Sequence, residues 1–261
     1  MNVQAAPLWT TPAPPPANDS AISPTPGLWQ DWEALSRELE PILMNPQAQP
    51  AFEATLRPLA QGLLQLTQHD ADLAIFHLVH GRADKLARYS VLHAMHTAML
   101  LSLVGQRKEW GEARTLLGIQ AALTMNLSIM HLQVDLAHQQ SPLTEAQRAQ
   151  IHDHPLQTRQ MLQALGVQHD DWLQAVSEHH EQADGQGYPL GLSHIHPLAD
   201  ALHTCDIFGA KLSPRAGRQS MLSPRAAAEI FRQRSMGYFG ATIVREIGLY
   251  PPGCMVELAS G

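Results

Sequence analysis

One run of the 261-residue chain, from Glu178 to Pro189, holds the side chains best suited to chemistry. Its adjacent histidines, His179 and His180, are flanked by carboxylates, and histidine is the commonest metal-ligating side chain. An Asp-Gly-x-Gly-Tyr-Pro segment follows at once, made of Asp184, Gly185, Gly187, Tyr188 and Pro189. Because glycine and proline interrupt regular structure, the run predicts two metal-ligand imidazoles at a helix end with a loop fixed beside them. An ordinary histidine-rich helix end followed by a turn stays as the alternative.

Other ligand-type residues lie at helical spacing elsewhere in the chain. His93 and His96 are three residues apart and share one helix face, His152 and His154 fall on a later helix, and Asp206 lies inside the helix after the glycine-rich loop. Helices that each contribute one or two inward histidines or carboxylates can build a metal site inside a bundle. A donor set without thiolates suits divalent iron, manganese or zinc.

Nine further histidines are interpreted as ordinary solvated or capping residues, because fifteen histidines make chance clusters common. They are His69, His77, His80, His131, His138, His169, His194, His196 and His203.

The elements that must position these residues are predicted to be helices. Hydrophobic residues make up 44% of the chain and aromatic residues only 5%, a mixture that favours helix over sheet. Apolar spacing of three and four residues begins at Leu28. It predicts helices over 89–104, 109–130, from a cap at Ser141 or Thr144 to 165, then 170–180, 197–212, 223–234 and 240–248. We expect an all-α bundle.

The chain is predicted to divide into four parts. Residues 1–27 are rich in proline and alanine and predict a disordered tail. Extra N-terminal helices cover 28–85, the main helical domain covers 86–248, and a turn with one short β segment covers 249–261. The strand, from Gly253 to Leu258, is expected to lack a pairing partner within the chain.

Composition excludes several functional classes. A formal net charge of -7 argues against binding to duplex nucleic acid. Two cysteines cannot form a disulfide framework, so a reducing cytoplasm is expected. No apolar run approaches the roughly 20 residues of a membrane span, and the N-terminus does not read as a secretory signal.

With these motifs together, the chain resembles the HD-GYP family of the HD phosphohydrolase superfamily. His179-His180-Glu181 with the Asp184 to Pro189 segment follows the family's HHE-x-x-DGxGYP pattern. Pro142-Leu143-Thr144 leading to His154-Pro155 resembles its PLT…HP segment, and Asp206 with Arg215 resembles its D-x-x-x-A-x-x-x-x-R helix. The resemblance covers about residues 86–258.

The name-giving His-Asp pair of that family is replaced. Where members end a helix with His-Asp and a Lys three residues later, this chain has Met125, Asn126 and Ile129. Tyr89 stands where some members carry a glutamate ligand. A thioether is a poor ligand for iron or manganese, and a neutral amide compensates two adjacent cations far less than a bridging carboxylate.

The resemblance implies a helical domain with a metal centre that acts on cyclic di-GMP. It assigns metal-ligand roles to His93, His154, His179, His180 and Asp206. It assigns phosphate contact to Arg215 and protein contact, for example with a diguanylate cyclase (GGDEF) domain, to the loop at Asp184 to Pro189. It implies one divalent ion, iron or manganese before zinc, and leaves open that the site holds none.

Three functions follow from these residues. The favoured one is a degenerate member that works in cyclic di-GMP signalling by binding or protein contact, without efficient hydrolysis. The second is an active phosphodiesterase with a rearranged centre, in which Asn126 serves as a weak ligand and His96 or His131 as a replacement. The third is an interaction domain that binds neither metal nor nucleotide.

Overall fold

The computed structural model describes residues 27–79, 83–213, 216, 225, 239–248 and 250–254. Ten helices are labelled in that part: α1 Leu28–Met44, α2 Phe52–His69, α3 Ala71–Val79, α4 Tyr89–Arg107, α5 Glu112–Thr124, α6 Met130–His138, α7 Glu145–Ala164, α8 Asp170–Glu178, α9 Pro197–Leu212 and α10 Gly240–Ile247. Short 3-10 turns lie at Pro46–Ala48, Ala83–Arg88 and Leu127–Ile129. No strand occurs among the described residues, which confirms the predicted all-α class.

Helix α4 lies at the centre of the bundle. It packs against α5 and α9, with α1, α2, α6 and α10 around it. Seventeen of its nineteen residues are buried, among them both of its histidines. A helix that is apolar on all sides is surrounded by other elements, so α4 connects the N-terminal helices to those that carry the candidate ligands.

A buried polar cluster joins the N-terminal helices to α4. The imidazole nitrogen His77 Nδ1, on α3, lies 3.1 Å from His96 Nε2, and His77 Nε2 lies 3.6 Å from Glu33 Oε1 on α1. The Trp32 indole stacks on the His77 ring at 5.6 Å between centroids. Helices α1 and α3 are therefore fixed against α4 by specific polar contacts as well as by apolar packing.

The predicted helix over 109–130 begins at Glu112 and is wrong beyond Thr124. Helix α5 ends at Thr124, and a turn at Met125 and Asn126 leads into a 3-10 segment before α6 begins. Apolar spacing continues through the break, so periodicity alone misses it. The break coincides with tertiary contacts, because Trp172 Nε1 donates to Thr124 Oγ1 at 2.8 Å and Ser128 Oγ donates to the His154 carbonyl at 3.2 Å.

The other helix ends agree with the sequence more closely. Thr144, rather than Ser141, caps α7, since its hydroxyl accepts from the Gln147 backbone and the Gln147 side chain accepts from the Thr144 backbone. Helix α8 ends at Glu178 instead of 180, so His179 and His180 lie in the turn that follows. Because both residues lie in this turn, the direction of their imidazoles is not set by a helix face.

One segment, Glu112–His138, is long and apolar enough by composition to be considered as a membrane span. Of its most apolar 18-residue window, 78% is buried inside the protein, and the break at Met125 and Asn126 interrupts the helix. We interpret the segment as a core element of the bundle.

Several predictions fall on residues outside the described ranges. They are the tail over 1–26, most of the helix over 223–234, the strand residues 255–258 and the phosphate-contact residue Arg215. At the described C-terminal end, the Cys254 amide donates to the Pro251 carbonyl at 3.0 Å, which forms a turn.

Candidate metal centre

Three imidazoles meet where α7 and the end of α8 come together. Each of His154, His179 and His180 offers one ring nitrogen, and these nitrogens lie within 4.8 Å of one another. His154 and His179 are buried, and His180 is half-buried. Sequence positions 25 residues apart thus form one compact group of metal-ligand side chains.

Two of these rings are oriented by the backbone. His154 Nδ1 donates to the Ile151 carbonyl at 2.6 Å, and His179 Nδ1 donates to the Val176 carbonyl at 2.7 Å. Such contacts fix the tautomer and leave Nε2 as the ligand atom. The two Nε2 atoms face each other at 3.2 Å. Two nitrogens bound to one ion at about 2.1 Å lie about 3.0–3.4 Å apart, depending on the bond angle, so this pair fits a shared cation.

Burial keeps the three rings uncharged. Desolvation, with the neighbouring His154 ring, lowers the pKa of His179 to about 3. Desolvation, followed by the adjacent His179, lowers the pKa of His180 well below its usual value, and burial lowers that of His154. Neutral imidazole is the form that binds a metal. The site therefore presents ligands that need not lose a proton at neutral pH.

The second part of the site is an imidazole–carboxylate pair. His93 Nε2 donates to Asp206 Oδ1 at 2.7 Å, which joins α4 to α9. Burial alone would raise the pKa of Asp206, but the hydrogen bond and charge of His93, followed by His180 and His179, hold this pKa below its usual value. Asp206 is therefore an anion beside the three neutral rings, which favours a cation there.

A cavity of about 160 Å³ connects the two parts. Its polar wall includes His93, His154, His180, Asp206 and Asn126. Its apolar wall comprises Ile129, Leu136, Ile151 and Ala210, and Tyr89, Gln133 and Tyr188 complete the lining. Within the described part of the chain, no lysine or arginine lines it.

The structure separates Met125 and Asn126, which stand where the family resemblance leads one to expect a His-Asp pair. Asn126 lines the cavity, whereas Met125 is fully buried in the hydrophobic core and is absent from the cavity wall. Ile129 presents an apolar surface where the family resemblance leads one to expect a lysine. At these two positions the cavity wall therefore carries an amide and an aliphatic side chain.

The Asp184 to Pro189 loop lies against the centre. Asp184 Oδ1 accepts from the Gln186 amide at 3.0 Å, and Gly185 takes a φ of 74°, which favours glycine. The Tyr188 ring lines the cavity. Asp184 and Leu190 are exposed, so the same loop reaches both the centre and the surface.

Three residues outside the predicted ligand set support the centre, and one of them, His203, is buried and not the solvated or capping residue that the sequence predicts. His203, on α9, donates from Nδ1 to the His179 carbonyl at 2.8 Å. The buried Glu178 carboxylate accepts from the His196 amide at 2.7 Å, and the buried Glu181 carboxylate accepts from the Leu190 amide at 2.7 Å. For His203, the three-residue spacing to Asp206 was a usable signal, since both lie on one helix face.

The proposed replacement ligands lie away from the cavity. His96 faces the N-terminal helices and contacts His77, and the His131 side chain is exposed on α6. Neither lines the cavity. The rearranged centre suggested by the sequence therefore does not receive its extra donor from these two positions.

We expect the metal-free protein to lose stability as the pH falls from about 6.5 towards 3. Over this interval, histidines of the unfolded chain bind protons, whereas His179 stays neutral because its folded pKa is lowered to about 3, and the lowered pKa values of His180 and His154 act in the same direction. A histidine lowers the unfolding free energy by about 1.4 kcal/mol per pH unit where it is neutral in the folded chain and protonated in the unfolded chain. Urea unfolding of chelator-treated protein at pH 7, 6 and 5 measures this slope. A stability that is constant or rises on acidification would contradict the burial of neutral rings.

Comparison with known proteins places this chain in a family. A family model of the HD domain matches residues 79–243, more than half of the chain. A cyclic di-GMP phosphodiesterase, PA4108 of Pseudomonas aeruginosa, is 25% identical over 250 residues, which cover 87% of this chain and 59% of that protein. The 3′3′-cGAMP-specific phosphodiesterase 3 of Vibrio cholerae is 25% identical over 210 residues, which cover 77% of this chain and 45% of that protein. The chain thus spans about half the length of these relatives.

A solved structure agrees with the fold. Bd1817, an HDG"Y"P protein from Bdellovibrio bacteriovorus, superposes with a TM-score of 0.65 at 15% sequence identity, over 83% of this chain and 68% of that one. At this identity the likeness concerns the fold alone. The family match over more than half of the chain leads to one conclusion: the chain belongs to the HD domain family, and its motif at residues 178–189 resembles the HD-GYP type.

Proposed function

We propose that this chain is a cyclic dinucleotide signalling protein that binds one divalent metal ion and a nucleotide without efficient hydrolysis. The relatives named as cyclic dinucleotide phosphodiesterases support the ligand class. Iron or manganese fits a donor set of imidazoles and a carboxylate. His154, His179 and His180 would hold the ion, with His93 and Asp206 beside it.

The observation that carries this proposal is the Asn126 amide on the cavity wall. Asn126 occupies the position of the carboxylate that bridges two metals in the family pattern. A neutral amide offsets the repulsion between two cations far less than a carboxylate. The three grouped imidazoles, with the Asp206 carboxylate near them, therefore suit one ion. When bound, such an ion supplies positive charge to a phosphate and lowers the pKa of a coordinated water.

The side chains of the cavity give the nucleotide little charge compensation of their own. Asp206 is an anion, and burial lowers the pKa values of His154 and His180, so these rings are neutral at pH 7. A phosphate in this cavity would meet one carboxylate and no fixed cation among the described lining residues. We therefore expect nucleotide binding to depend on the metal.

The size of the cavity limits how a nucleotide could bind. At about 160 Å³, the cavity is smaller than the roughly 300–1,000 Å³ of most ligand pockets. It can take one phosphate with its adjoining sugar atoms, while the remaining part of a cyclic dinucleotide would lie outside, beyond Tyr188. The exposed part of the loop, at Asp184 and Leu190, would then be available to a GGDEF-type or other signalling protein.

Metal analysis, nucleotide binding and hydrolysis together test this function. The protein is loaded with Mn²⁺ and dialysed, and cyclic di-GMP binding is measured by calorimetry with and without a chelator. We expect about one ion per chain, nucleotide binding only with metal, and no turnover. Hydrolysis that disappears in His179→Ala would establish an enzyme instead, and failure to bind metal and nucleotide would leave protein contact alone.

One observation favours a second candidate, a metal-dependent phosphoesterase with a rearranged centre. His203 lies one helical turn before Asp206, and its Nε2 atom is buried with no hydrogen-bond partner among the described residues. The His203 ring lies outside the cavity lining but 6.3 Å from the His180 ring, so its unpartnered nitrogen could supply the donor that Met125 lacks. In that case His203→Ala abolishes turnover and reduces the bound metal. Under the favoured proposal there is no turnover to lose.

A further inference from the structure

His180 differs from the other two imidazoles in how its ring is held. His154 and His179 are each fixed by a hydrogen bond from Nδ1 to a backbone carbonyl. Within the described residues, the His180 ring nitrogens make no hydrogen bond, and its neighbours are aromatic rings. His179 lies 4.1 Å away between centroids and Tyr188 lies 4.6 Å away at an interplanar angle of 23°. The orientation of this ligand-type ring therefore depends on stacking.

Tyr188 is itself held from two sides. Its backbone amide donates to the His180 carbonyl at 3.1 Å, so the tyrosine is tied to the residue on which its ring stacks. The outer face of the ring packs on His152 of α7, at 5.5 Å and 22°. Three rings, His180, Tyr188 and His152, thus form a ladder from the interior to the surface.

The loop that carries Tyr188 is fixed against Glu181. The Glu181 carboxylate is 1% exposed, and it accepts from the amides of Leu190 at 2.7 Å and Leu192 at 2.8 Å. A Cβ atom at Gly187 would lie 2.3 Å from the Gln182 nitrogen and 2.4 Å from the Glu181 Cα. Since these are backbone atoms, only glycine permits this close approach. The buried Glu181 carboxylate and the close backbone contact at Gly187 together determine where Tyr188 lies.

We infer that Tyr188 is a positioning residue for the metal centre: stacked on His180 and held by the Glu181 carboxylate, it orients the one imidazole that no backbone contact orients. The inference rests on the proposed metal site. Groups that orient a metal ligand from outside its coordination shell commonly change affinity by about 10–100-fold. The loop is therefore a part of the metal centre, although none of its residues need touch the ion.

Cobalt binding to the metal-free protein tests this role without any measurement of activity. Titration with Co²⁺, followed by visible absorption, is compared for the wild type, Tyr188→Ala and Tyr188→Phe. We expect Tyr188→Ala to bind Co²⁺ about 10–100-fold more weakly with an altered spectrum. Tyr188→Phe keeps the stacked ring and should restore both. Tyr250→Ala, the same change at a residue that is 69% exposed, should bind as the wild type does.

A second variant reaches the ring through the backbone. Gly187→Ala changes no other side chain of the centre but displaces the loop, and Tyr188 with it, from Glu181 and Gln182. It should therefore weaken Co²⁺ binding, as Tyr188→Ala does. Thermal unfolding of each metal-free variant separates lost folding from lost positioning. Equal affinity of Tyr188→Ala and wild type would overturn the inference alone, and equal losses in Tyr188→Ala and Tyr188→Phe would too, because stacking would not be the cause. A wild type that binds no cobalt would overturn the proposed metal site with it.

Discussion

His179→Ala should lower the affinity of the protein for Mn²⁺ by at least about 100-fold. His179 is fully buried, its Nδ1 donates to the Val176 carbonyl, and its Nε2 lies 3.2 Å from His154 Nε2. Alanine removes one of two nitrogens that face each other across the distance expected for a shared ion. Loss of an outer-shell group already costs about 10–100-fold, so loss of a direct donor should cost more. Calorimetric titration of chelator-treated protein gives the affinity.

The same substitution in an exposed position is the matched control. His131 lies on α6 with its side chain in solvent, so His131→Ala should bind Mn²⁺ with unchanged affinity. This control also tests the replacement-ligand alternative, which requires His131 to contribute. If His179→Ala retained the wild-type affinity, the ion would be bound elsewhere and the centre described above would not be the metal site.

Asn126→Asp should raise the number of bound ions from about one to about two per chain. Asn126 lines the cavity that His93 and Asp206 also line, and the substitution adds an anionic oxygen with almost no change in volume. Without metal, the new carboxylate adds a second negative charge near Asp206, so the chelator-treated variant should be less stable than the wild type. Addition of Mn²⁺ should reverse that loss, because the charge then has cations to compensate. Metal analysis and thermal unfolding with and without Mn²⁺ measure both effects.

Gln133→Glu provides the comparison for charge alone. Gln133 lines the same cavity, and the change from amide to carboxylate is the same. If the second ion requires the carboxylate at position 126 in particular, Gln133→Glu leaves the number of bound ions at about one per chain. A second ion in both variants would mean that any added carboxylate is sufficient, and a single ion in Asn126→Asp would mean that the missing bridge does not limit the centre.

Much of the architecture followed from local patterns. The helix at 197–212 and the capped start of α7 agree with the sequence because their signals are local: Pro197 at a first helical turn, and a threonine followed three residues later by glutamine. The motif at 178–189 gave the family because its residues are specific in type and spacing. The family model confirms the HD domain, and the solved structure agrees with its fold.

The parts that sequence missed depend on contacts between distant residues. The end of α5 lies in an unbroken apolar pattern, and the hydrogen bond between Trp172 and Thr124 appears only in the folded chain. Likewise, the spacing of His203 to Asp206 places both on one helix face, but the contact of His203 Nδ1 with a carbonyl 24 residues earlier appears only in the folded chain. The separation of Met125 from Asn126, one in the core and one on the cavity wall, required the geometry of the turn.

The central position of α4 has a consequence for any attempt to shorten this protein. The family match begins at residue 79, so residue 79 would be an obvious starting point for a shorter fragment. Such a fragment would lack α1 and α2, which pack on α4, and His96 would lose the imidazole of His77. His93 lies one turn away on the same helix. If a truncated protein failed to bind metal, the cause would be the lost packing on α4, and the result would not show that the full chain lacks the metal site. The N-terminal helices belong in every preparation used to judge this centre.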